Sequence, residues 1–397
     1  MAGESRTPGD NTPIRYGMVG GGQGAFIGGV HRIAARLDGE FQLVAGALSS
    51  DPARAKASGA ELGLDPDRSY ASFAEMAKAE AKRPDGIEAV AIVTPNHMHY
   101  PAAKAFLDAG IHVICDKPLT SNLADAKKLA AAAAKSGKLF VLTHNYTGYP
   151  MVRQAREMVA KGLLGDIRVV QAHYAQDWLT ENVEASGSKQ ASWRTDPKQS
   201  GAGGATGDIG THAYNLLRFV TGLELDTLAA DLSAYVPGRR LDDNAHVMLR
   251  FKAQAKAPAA KGMLWASQVA PGHENTLKLA VYGTKGGLEW EQEHPNHLWF
   301  TPFGQEKRLI TRNGAGAGAA AARVSRIPGG HPEGYLEGFA NIYAEAARAI
   351  RAMRRKNAKL PKEVVFPTVA DGVEGVAFVE ACVKSSAKNG AWTKLQL

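Results

Sequence analysis

The stretch that most constrains the fold of this chain is a glycine-rich turn between a predicted strand and a predicted helix. An apolar run at residues 14–19 leads into Gly20-Gly-Gly-Gln-Gly-Ala-Phe-Ile-Gly28, and apolar residues then recur at helical spacing up to Leu37. A strand, a tight turn and a helix in this order begin a βαβ unit, whose next strand runs parallel to the first. The start of the chain therefore predicts a parallel sheet covered by helices.

The same alternation continues to about residue 146. Strand patterns are predicted at residues 41–48, 87–94, 111–117 and 139–143, with helical patterns at 101–109 and 123–135 between them. Asp51, directly before Pro52, has the sequence of a helix N-cap. We therefore predict that residues 14–146 form a Rossmann domain, a doubly wound parallel sheet that binds a dinucleotide.

The pattern changes after Asn145. A helix is predicted at residues 151–161, and strands at 167–173, 245–251, 262–269, 276–282 and 287–291. Residues 245–251 and 262–269 flank a polar connection, which indicates an antiparallel hairpin with a floppy loop. We predict that residues 147–397 form an α+β domain for substrate binding and oligomerisation, with a large, mostly antiparallel sheet. Helices at 334–354 and 369–386 close it, and the Gly/Ala-rich stretch at 313–322 is predicted to be a mobile surface loop.

Composition narrows the class of protein. The chain has 397 residues, too many for one ordinary core, and it is 45% hydrophobic and 22% charged. No apolar run approaches the roughly 20 residues of a membrane span, and residues 1–13 have the composition of a disordered leader without the marks of an export signal. Cys115 and Cys382 lie far apart in apolar patterns, so no disulfide framework or metal-binding cysteine pair is predicted. These features favour a cytoplasmic protein without a membrane partner or a metal.

The charge balance is a weak guide. An excess of 47 Lys and Arg over 39 Asp and Glu gives +8, which suits an anionic cofactor or substrate. The densest basic cluster lies on a helical pattern without interleaved aromatic residues, so a solvated helix face is expected there rather than a nucleic-acid partner. Its members are Arg348, Arg351, Arg354, Arg355 and Lys356.

The glycine turn predicts dinucleotide contacts. Glycines allow the backbone to approach a pyrophosphate closely, and the following helix presents free N–H groups to it. The predicted contacts are Gly20, Gly22, Gln23 and Gly24. Gly28 follows Gly22 after five residues rather than two, so the turn is longer than the usual fingerprint.

The end of the second strand bears on the choice of cofactor. A carboxylate there hydrogen-bonds the adenosine ribose, whereas small hydroxyls with a nearby arginine accept a 2′-phosphate. This chain has Ser49 and Ser50, followed by Arg54, and Asp51 is assigned to helix capping. We predict NAD(P)(H), with a slight preference for NADP(H).

A polar motif, Thr94-Pro-Asn-His-Met-His99, ends the third strand. Thr94, Asn96 and His99 are predicted to line the cofactor crevice. The alternative is a turn asparagine with loop histidines that are satisfied locally. Zinc is disfavoured because no cysteine or suitably spaced carboxylate accompanies the two histidines.

The run Ile111-His-Val-Ile-Cys-Asp-Lys-Pro-Leu119 places Asp116 and Lys117 at the end of a strand, because Pro118 cannot continue a sheet ladder. Ligands of parallel α/β sheets bind beyond the carboxyl ends of the strands. Lys117 is therefore predicted to be catalytic and, with Asp116, close to the cofactor; the alternative is a surface lysine that caps the strand.

A second polar motif, Gly203-Gly-Ala-Thr-Gly-Asp-Ile-Gly-Thr-His-Ala213, leads into an apolar helical pattern. Asp208 and His212 are four residues apart at the predicted helix start, which places them on one face, and the helix N-terminus favours the ionised aspartate. A histidine whose tautomer is set by a carboxylate is an acid/base pair near neutral pH. The alternative is a helix cap and an ordinary core histidine.

With these motifs in this order, the chain resembles the Gfo/Idh/MocA oxidoreductase family, which includes inositol dehydrogenases and glucose-fructose oxidoreductase. The resemblance runs from about residue 14 to the end of the chain. Asp116-Lys117-Pro118 corresponds to the family's Glu-Lys-Pro motif with Asp in place of Glu, and a cis Lys-Pro bond is implied.

The resemblance implies that Lys117, Asp208 and His212 surround the reacting carbinol. It also implies that Arg194, within Trp193-Arg-Thr-Asp-Pro197, contacts the substrate, and Tyr146 is a further candidate for this role. The expected reaction is hydride transfer between a nicotinamide and a secondary alcohol or ketone of a sugar, glycoside or cyclitol. A homodimer or homotetramer is implied as well.

Two other functions stay open. One is a redox-neutral enzyme with tightly bound NAD(P), which oxidises and re-reduces its substrate during glycoside cleavage or sugar exchange. The other is a non-enzymatic nicotinamide-binding sensor, which the complete set of Lys117, Asp208 and His212 argues against.

Overall fold

The computed structural model describes residues 12–253, 258–355 and 359–397. Most of the predicted leader, part of the hairpin connection at 254–257 and Lys356 of the basic cluster lie outside these residues. The strands, in chain order, are β1 (Ile14–Gly20), β2 (Phe41–Ala47), β3 (Ala89–Val93), β4 (His112–Cys115), β5 (Phe140–Leu142), β6 (Ile167–Ala175), β7 (Leu225–Ser233), β8 (Asn244–Phe251), β9 (Lys261–Ser267), β10 (Thr276–Gly283), β11 (Gly286–Glu291), β12 (His297–Pro302), β13 (Arg308–Thr311) and β14 (Thr393–Lys394).

Helices separate or follow these strands. They are α1 (Phe26–Leu37), α2 (Pro52–Glu61), α3 (Phe73–Glu80), α4 (His99–Asp108), α5 (Leu123–Ser136), α6 (Pro150–Ala160), α7 (Lys189–Arg194), α8 (Pro197–Ser200), α9 (Thr211–Thr221), α10 (Ala319–Ala322), α11 (Tyr335–Arg354) and α12 (Val369–Ser386). A π-helical segment, Thr206–Gly210, directly precedes α9, and Asn145–Gly148 forms a 3-10 turn.

The chain forms two compact units. Unit 1 contains the described residues up to Thr120, with Ala124–Gly148 and Tyr335–Gly372. Unit 2 contains Ser121–Leu123, Tyr149–Gly334 and Val373–Leu397.

Unit 1 is built on a five-stranded parallel sheet in the order β2-β1-β3-β4-β5. The strand order reverses at β1, whose neighbours are β2 and β3. A ligand crevice is expected at such a switch point, at the carboxyl ends of the strands. The predicted doubly wound sheet is confirmed.

A late helix completes the core of unit 1. Phe339 and Tyr343 of α11 pack with Tyr16 and Phe41 of the sheet, with ring centroids 5.3–6.4 Å apart for the Tyr343 pairs, and with Val30 of α1. The predicted division assigned all residues after 146 to the second domain. The structure differs because the apolar face of α11 covers α1, so that residues 335–372 belong to unit 1.

Unit 2 is built on a nine-stranded sheet in the order β13-β12-β11-β10-β6-β9-β8-β7-β14. Neighbouring strands are antiparallel except β6 and β9, which pair in parallel. The predicted hairpin is confirmed as β8 and β9. Buried and exposed residues alternate along β8, so one face of the sheet is packed and the other is open.

Two local expectations need correction. The Gly/Ala-rich stretch is not simply a mobile loop: Ala319–Ala322 form α10, Ala321 is fully buried, and the Gly318 N–H donates to Gln154 Oε1 at 2.7 Å. The basic face of α11 is partly paired rather than solvated, because Arg351 pairs with Glu40 and Arg354 with Glu88.

In the part of the chain that the structure describes, no helix is both long and apolar enough to span a membrane. Cys115 and Cys382 are free thiols, and both are buried.

Candidate functional site

The glycine turn of unit 1 bends the chain sharply at the end of β1. Gly20 has φ +77°, and a Cβ at this position would lie 2.9 Å from the Val93 carbonyl oxygen of the neighbouring strand. A side chain is therefore excluded by both conformation and space. The Gly22 N–H donates to the Leu48 carbonyl at 3.1 Å, which ties the turn to the end of β2.

The long spacing of the turn has a structural explanation. Helix α1 begins only at Phe26, so residues 23–25 extend the turn before the helix. A Cβ on Gly28 would lie 2.4 Å from the Gly21 Cα. Gly28 thus provides the close packing of helix on strand that the third glycine of a dinucleotide fingerprint provides.

A cavity of about 380 Å³ lies beside the turn. Its wall includes Gly22, Gln23 and Gly24 of the turn and Ser58 and Glu61 of α2. A Cβ on Gly22 would lie 2.6 Å from Ser58 Oγ, which itself accepts the Gln23 N–H at 3.1 Å. The missing side chain keeps this part of the backbone accessible, and the cavity volume is typical of small-molecule sites.

Arg32 also lines this cavity, a role that was not predicted from the sequence. Its guanidinium reaches back along α1 and donates from Nη1 to the Gly21 carbonyl at 2.6 Å. An arginine beside a glycine turn suits a phosphate, because guanidinium N–H groups match phosphate oxygens in geometry and charge. Its position four residues after Gly28, one helical turn, is the signal that could have pointed to it.

The residues at the end of β2 lie as the sequence predicted for the helix cap. Asp51 Oδ1 accepts the Arg54 N–H at 2.7 Å, which confirms Asp51 as the N-cap of α2. Ser49 Oγ accepts the Asp51 N–H at 3.2 Å, while Ser50 and the Arg54 side chain are exposed. The carboxylate of Asp51 is therefore engaged by the helix.

Thr94, Asn96 and His99, which were predicted to line the crevice, follow β3 but have different surroundings. Thr94 Oγ1 is buried and has no hydrogen-bond partner among the described residues, and Asn96 is 6% exposed. His99 is a correction: it is 1% exposed, with Nδ1 2.7 Å from the Pro118 carbonyl and Nε2 2.9 Å from the Thr94 carbonyl. Both ring nitrogens face backbone oxygens, so His99 joins the ends of β3 and β4 rather than lining a cofactor site.

Asp116 and Lys117 follow β4 directly, and the Lys117–Pro118 bond is cis, as the resemblance implied. Asp116 Oδ1 accepts the Lys117 N–H at 2.8 Å and the Thr143 hydroxyl at 3.1 Å. The Asp116 carboxylate is therefore held by the backbone N–H of the next residue and by the hydroxyl of Thr143, which directly follows β5. Lys117 is half-buried.

His144 lies close to this lysine within unit 1. Burial and, to a lesser extent, the positive charge of Lys117 lower the pKa of His144 to about 4, against the opposing effect of the Asp371 and Asp116 carboxylates. The ring is consequently neutral near pH 7.

Two of the buried polar atoms without a hydrogen-bond partner in unit 1 lie just after strands of its parallel sheet. They are Thr94 Oγ1, after β3, and Asn145 Nδ2, after β5, neither of which has a partner among the described residues. Buried polar groups are normally hydrogen-bonded, and both follow carboxyl ends of one parallel sheet, where a dinucleotide binds. With the glycine turn and Arg32, these donors fit a dinucleotide cofactor.

The acid/base motif of unit 2 takes a different local form from the one predicted. Asp208 lies in the π-helical segment Thr206–Gly210, and His212 in the first turn of α9. The helical segment therefore begins with a π turn instead of an α turn, and Asp208 lies in that first turn. Single π turns inside helices occur frequently at functional sites.

Side chains from other segments of unit 2 hold Asp208. Gln268 Nε2 donates to Asp208 Oδ2 at 2.9 Å, and Arg194 Nε lies 3.4 Å from the same oxygen. Arg194, predicted to contact substrate, therefore also neutralises the carboxylate. His212 is 7% exposed, and its ring faces Tyr174 with centroids 6.1 Å apart.

Asp242 holds the start of the π segment. Its Oδ1 accepts the Gly204 N–H at 2.7 Å, and its Oδ2 accepts the N–H and hydroxyl of Thr206 at 2.8 and 2.7 Å. Burial raises the pKa of Asp242, whereas these hydrogen bonds lower it. Sequence reasoning missed both Asp242 and Gln268; their places at the ends of predicted strands were the available signal.

Tyr146 lies in the 3-10 turn after β5, and its side chain is 4% exposed. This burial leaves only a small part of its surface for a substrate. Within the described residues, no group of three or more His, Cys, Asp or Glu side chains is arranged to hold a metal ion.

Taken separately, the units carry complementary chemistry. Unit 1 has a glycine turn with Arg32 and a lysine fixed at a strand end, which can bind phosphates and stabilise an oxyanion. Unit 2 has a histidine and an anchored carboxylate, which can exchange a proton and bind hydroxyl groups.

Known families match both halves of the chain. Residues 14–144 match the oxidoreductase family with an NAD-binding Rossmann fold, and residues 152–289 match the GFO/IDH/MocA C-terminal domain. The uncharacterized oxidoreductase YfiI of Bacillus subtilis is 35% identical over 387 residues, which cover 97% of each chain.

Solved structures agree with this match. The crystal structure of an oxidoreductase from Sinorhizobium meliloti has a sequence 65% identical to this chain and a TM-score of 0.87. The match covers 96% of this chain and 99% of that one. An inositol dehydrogenase homologue from Azotobacter vinelandii, in complex with NADH and myo-inositol, is 37% identical with a TM-score of 0.90, at 96% and 98% coverage.

Proposed function

This chain belongs to the Gfo/Idh/MocA family of NAD-binding oxidoreductases, and from that premise we propose that it is a dehydrogenase acting on a secondary alcohol or ketone of a sugar, glycoside or cyclitol. The observation that carries the proposal is that the chain has Lys117 at a strand end of unit 1 and both His212 and Asp208 in unit 2, with Asp208 anchored by Gln268 and Arg194. The NADH and myo-inositol of the A. vinelandii homologue support the class of substrate.

Each of the three residues has a distinct role in this proposal. A bound nicotinamide supplies the hydride acceptor at its C4 atom. His212 accepts the hydroxyl proton in the oxidative direction. Lys117 donates a hydrogen bond to the same oxygen and stabilises the developing alkoxide charge, while Asp208 binds a neighbouring hydroxyl and orients the histidine.

The residues of unit 1 have roles toward the cofactor. Gly20, Gly22, Gln23 and Gly24 would face the pyrophosphate together with Arg32. Thr94, Asn96, Asn145 and Asp116 would lie along the nicotinamide half. His99 would act only indirectly, by holding the ends of two strands.

We propose that the chain accepts NADP(H) as well as NAD(H). Ser49, Ser50 and Arg54 offer hydroxyls and a cation for a 2′-phosphate, and Asp51 is engaged as a helix cap. Replacing Arg54 by Ala is expected to raise KM for NADP+ about fivefold, since an exposed charge contact contributes about 1 kcal/mol, with KM for NAD+ nearly unchanged. Equal changes in both KM values would contradict this role for Arg54.

We further propose a homo-oligomer formed through the open face of the unit 2 sheet. Large apolar side chains lie on that face: Met263 is 60% exposed, Met248 54% and Trp299 40%. Met248 and Met263 face each other across β8 and β9, so they form one patch. Replacing both by Glu should produce monomers in light scattering; an unchanged mass would refute this interface.

We also propose a cytoplasmic location. The two buried free thiols fit a reducing compartment of this kind.

The activity is tested by absorbance at 340 nm. Purified protein is mixed with NAD+ or NADP+ and, in turn, with inositols, aldoses and simple glycosides. Reduced cofactor should accumulate with at least one of these polyols. A flat trace, combined with NAD(P) released on denaturation, would favour the redox-neutral alternative instead.

Replacing Lys117 by Met tests the catalytic assignment. Turnover should fall by at least 10³-fold, because an electrostatic contact to the developing alkoxide is lost, while cofactor affinity changes little. Dinucleotide binding by fluorescence titration is the control measurement. Turnover close to wild type would remove Lys117 from the mechanism.

A further inference from the structure

A second cavity, of about 510 Å³, lies in unit 2 between two loops. Thr180, Glu181 and Asn182 line one side of it, and Tyr235, Val236 and Pro237 line the other. Among the described lining residues the charged one is Glu181. The lining thus combines apolar surface with hydroxyl, amide and carboxylate groups, and it offers no cation for a phosphate or carboxylate.

The two loops are held together by a buried arginine. The Arg239 side chain is 1% exposed and donates to both carboxylate oxygens of Glu184 at 2.9 Å. It also donates to the Leu179 carbonyl at 2.9 Å and to the Glu181 carbonyl at 3.2 Å. The walls of the cavity are therefore fixed before a ligand arrives, which lowers the entropic cost of binding.

Tyr235 is an exposed aromatic residue on a fixed backbone. Its side chain is 66% exposed, yet its N–H donates to the carboxylate of Asp243 at 2.9 and 3.0 Å. Asp243 is itself buried and accepts from Arg239 Nη1 at 3.1 Å. A rigidly mounted, exposed ring has a flat apolar face and a polar hydroxyl, which suits the C–H face of a sugar ring and its hydroxyl groups.

The cavity adjoins the candidate catalytic carboxylate through one residue. Gln268 donates its side-chain amide to Asp208, and its backbone carbonyl accepts the Leu179 N–H at 3.0 Å, at the base of the first loop. The next residue, Val269, lines the cavity. A ligand bound at Asp208 can therefore extend along this strand end toward Tyr235.

We propose that this cavity is a second saccharide subsite, in which Tyr235 stacks on a neutral sugar ring joined to the ring that is oxidised. The inference rests on the proposed function and refines its substrate: a glycoside or disaccharide is preferred to a single ring. Sugar phosphates and acidic sugars are disfavoured because of Glu181.

The test measures affinity separately from turnover. Glucose, methyl β-glucoside, maltose, cellobiose and trehalose are titrated into the full-length Lys117→Met variant with cofactor present. At least one disaccharide should bind ten times more tightly than glucose. Tyr235→Ala in the same background should abolish that preference, and Tyr235→Trp should retain it. The matched control is Phe303→Ala, which removes another strongly exposed ring, 84% exposed, outside the cavity.

Several outcomes would overturn the subsite. They are equal affinity for glucose and every disaccharide, an equal loss for both ligand types in Tyr235→Ala, or a changed molecular mass in that variant, which would assign the cavity to a subunit interface. Turnover assays of the wild type with the same panel separate the two proposals. Absent cofactor reduction with a retained, Tyr235-dependent preference in binding would reject the dehydrogenase and keep the subsite.

Discussion

The glycine turn of unit 1 and the Asp208 turn of unit 2 are assembled in opposite ways. In the glycine turn, the main packing contact joins Gly21 to Gly28, seven residues away. In the Asp208 turn, the carboxylate is held by Gln268, 60 residues away in the sequence, and the backbone by Asp242, 36 to 38 residues away. The first depends on local geometry, and the second on contacts that only the folded sheet provides.

The two turns therefore differ in which residues determine their structure: a short motif in one and distant residues in the other. Glycines act through space and backbone conformation, which a short motif specifies. A carboxylate acts through its orientation and charge, which are set by whatever surrounds it. Changes to the two turns should therefore have separable effects on cofactor affinity, stability and turnover.

The largest effect on stability is expected from a comparison of alanine substitutions at two neighbouring glycines of α1. Gly28→Ala should destabilise the protein by more than about 3 kcal/mol and weaken dinucleotide binding, because its Cβ would overlap Gly21 backbone. Gly29→Ala should stabilise it by up to about 1 kcal/mol, since the nearest atom to its Cβ is Arg32 Nη2 at 4.0 Å. Urea unfolding of both variants measures the contrast; similar values would show that the turn is not close-packed.

A smaller effect is expected when the distant support of the Asp208 turn is weakened. Asp242→Asn turns an amide NH₂ toward a backbone N–H, which should cost about 2 kcal/mol and lower turnover, while cofactor affinity in unit 1 is retained. Asp51→Asn is the matched control, because asparagine caps a helix as well as aspartate does. Unfolding curves, kcat and dinucleotide titrations are compared. Loss of cofactor affinity in Asp242→Asn would contradict the separation of the two turns.

The smallest effect concerns the response to acid. Because the pKa of His144 in the folded protein is about 4, below its ordinary 6.5, protons bind the unfolded state first as the pH falls below 6.5, and stability is lost down to about pH 4. Between pH 7 and 5.5 this group should remove about 1 kcal/mol. His144→Gln should flatten the pH dependence by that amount in urea unfolding. An unchanged slope would show that His144 is not the responsible group.

Local features of the fold could be predicted from the sequence. Alternating strand and helix patterns predicted the parallel sheet of unit 1, and Asp51 before Pro52 predicted a helix cap, which hydrogen bonds confirm. Each of these signals acts over a few residues, so periodicity and capping chemistry suffice.

Features that depend on tertiary packing were not readable. The amphipathic pattern of α11 predicted a helix but not that Phe339 and Tyr343 would pack on unit 1. The π segment also escaped prediction, since one additional residue in a helical turn leaves no distinct composition. For the same reason, nothing near Asp208 indicated Asp242 or Gln268.

The return of α11 to unit 1 has a consequence for biosynthesis. The core of unit 1 lacks one layer until α11, residues 335–354, has left the ribosome, about 190–210 residues after Gly148. At a synthesis rate of about 5–20 residues per second, the nascent sheet waits roughly 10–40 seconds for its last covering helix. During that time the apolar surface around Val30 and Phe41 is uncovered, and it is the natural place for a chaperone to bind the growing chain.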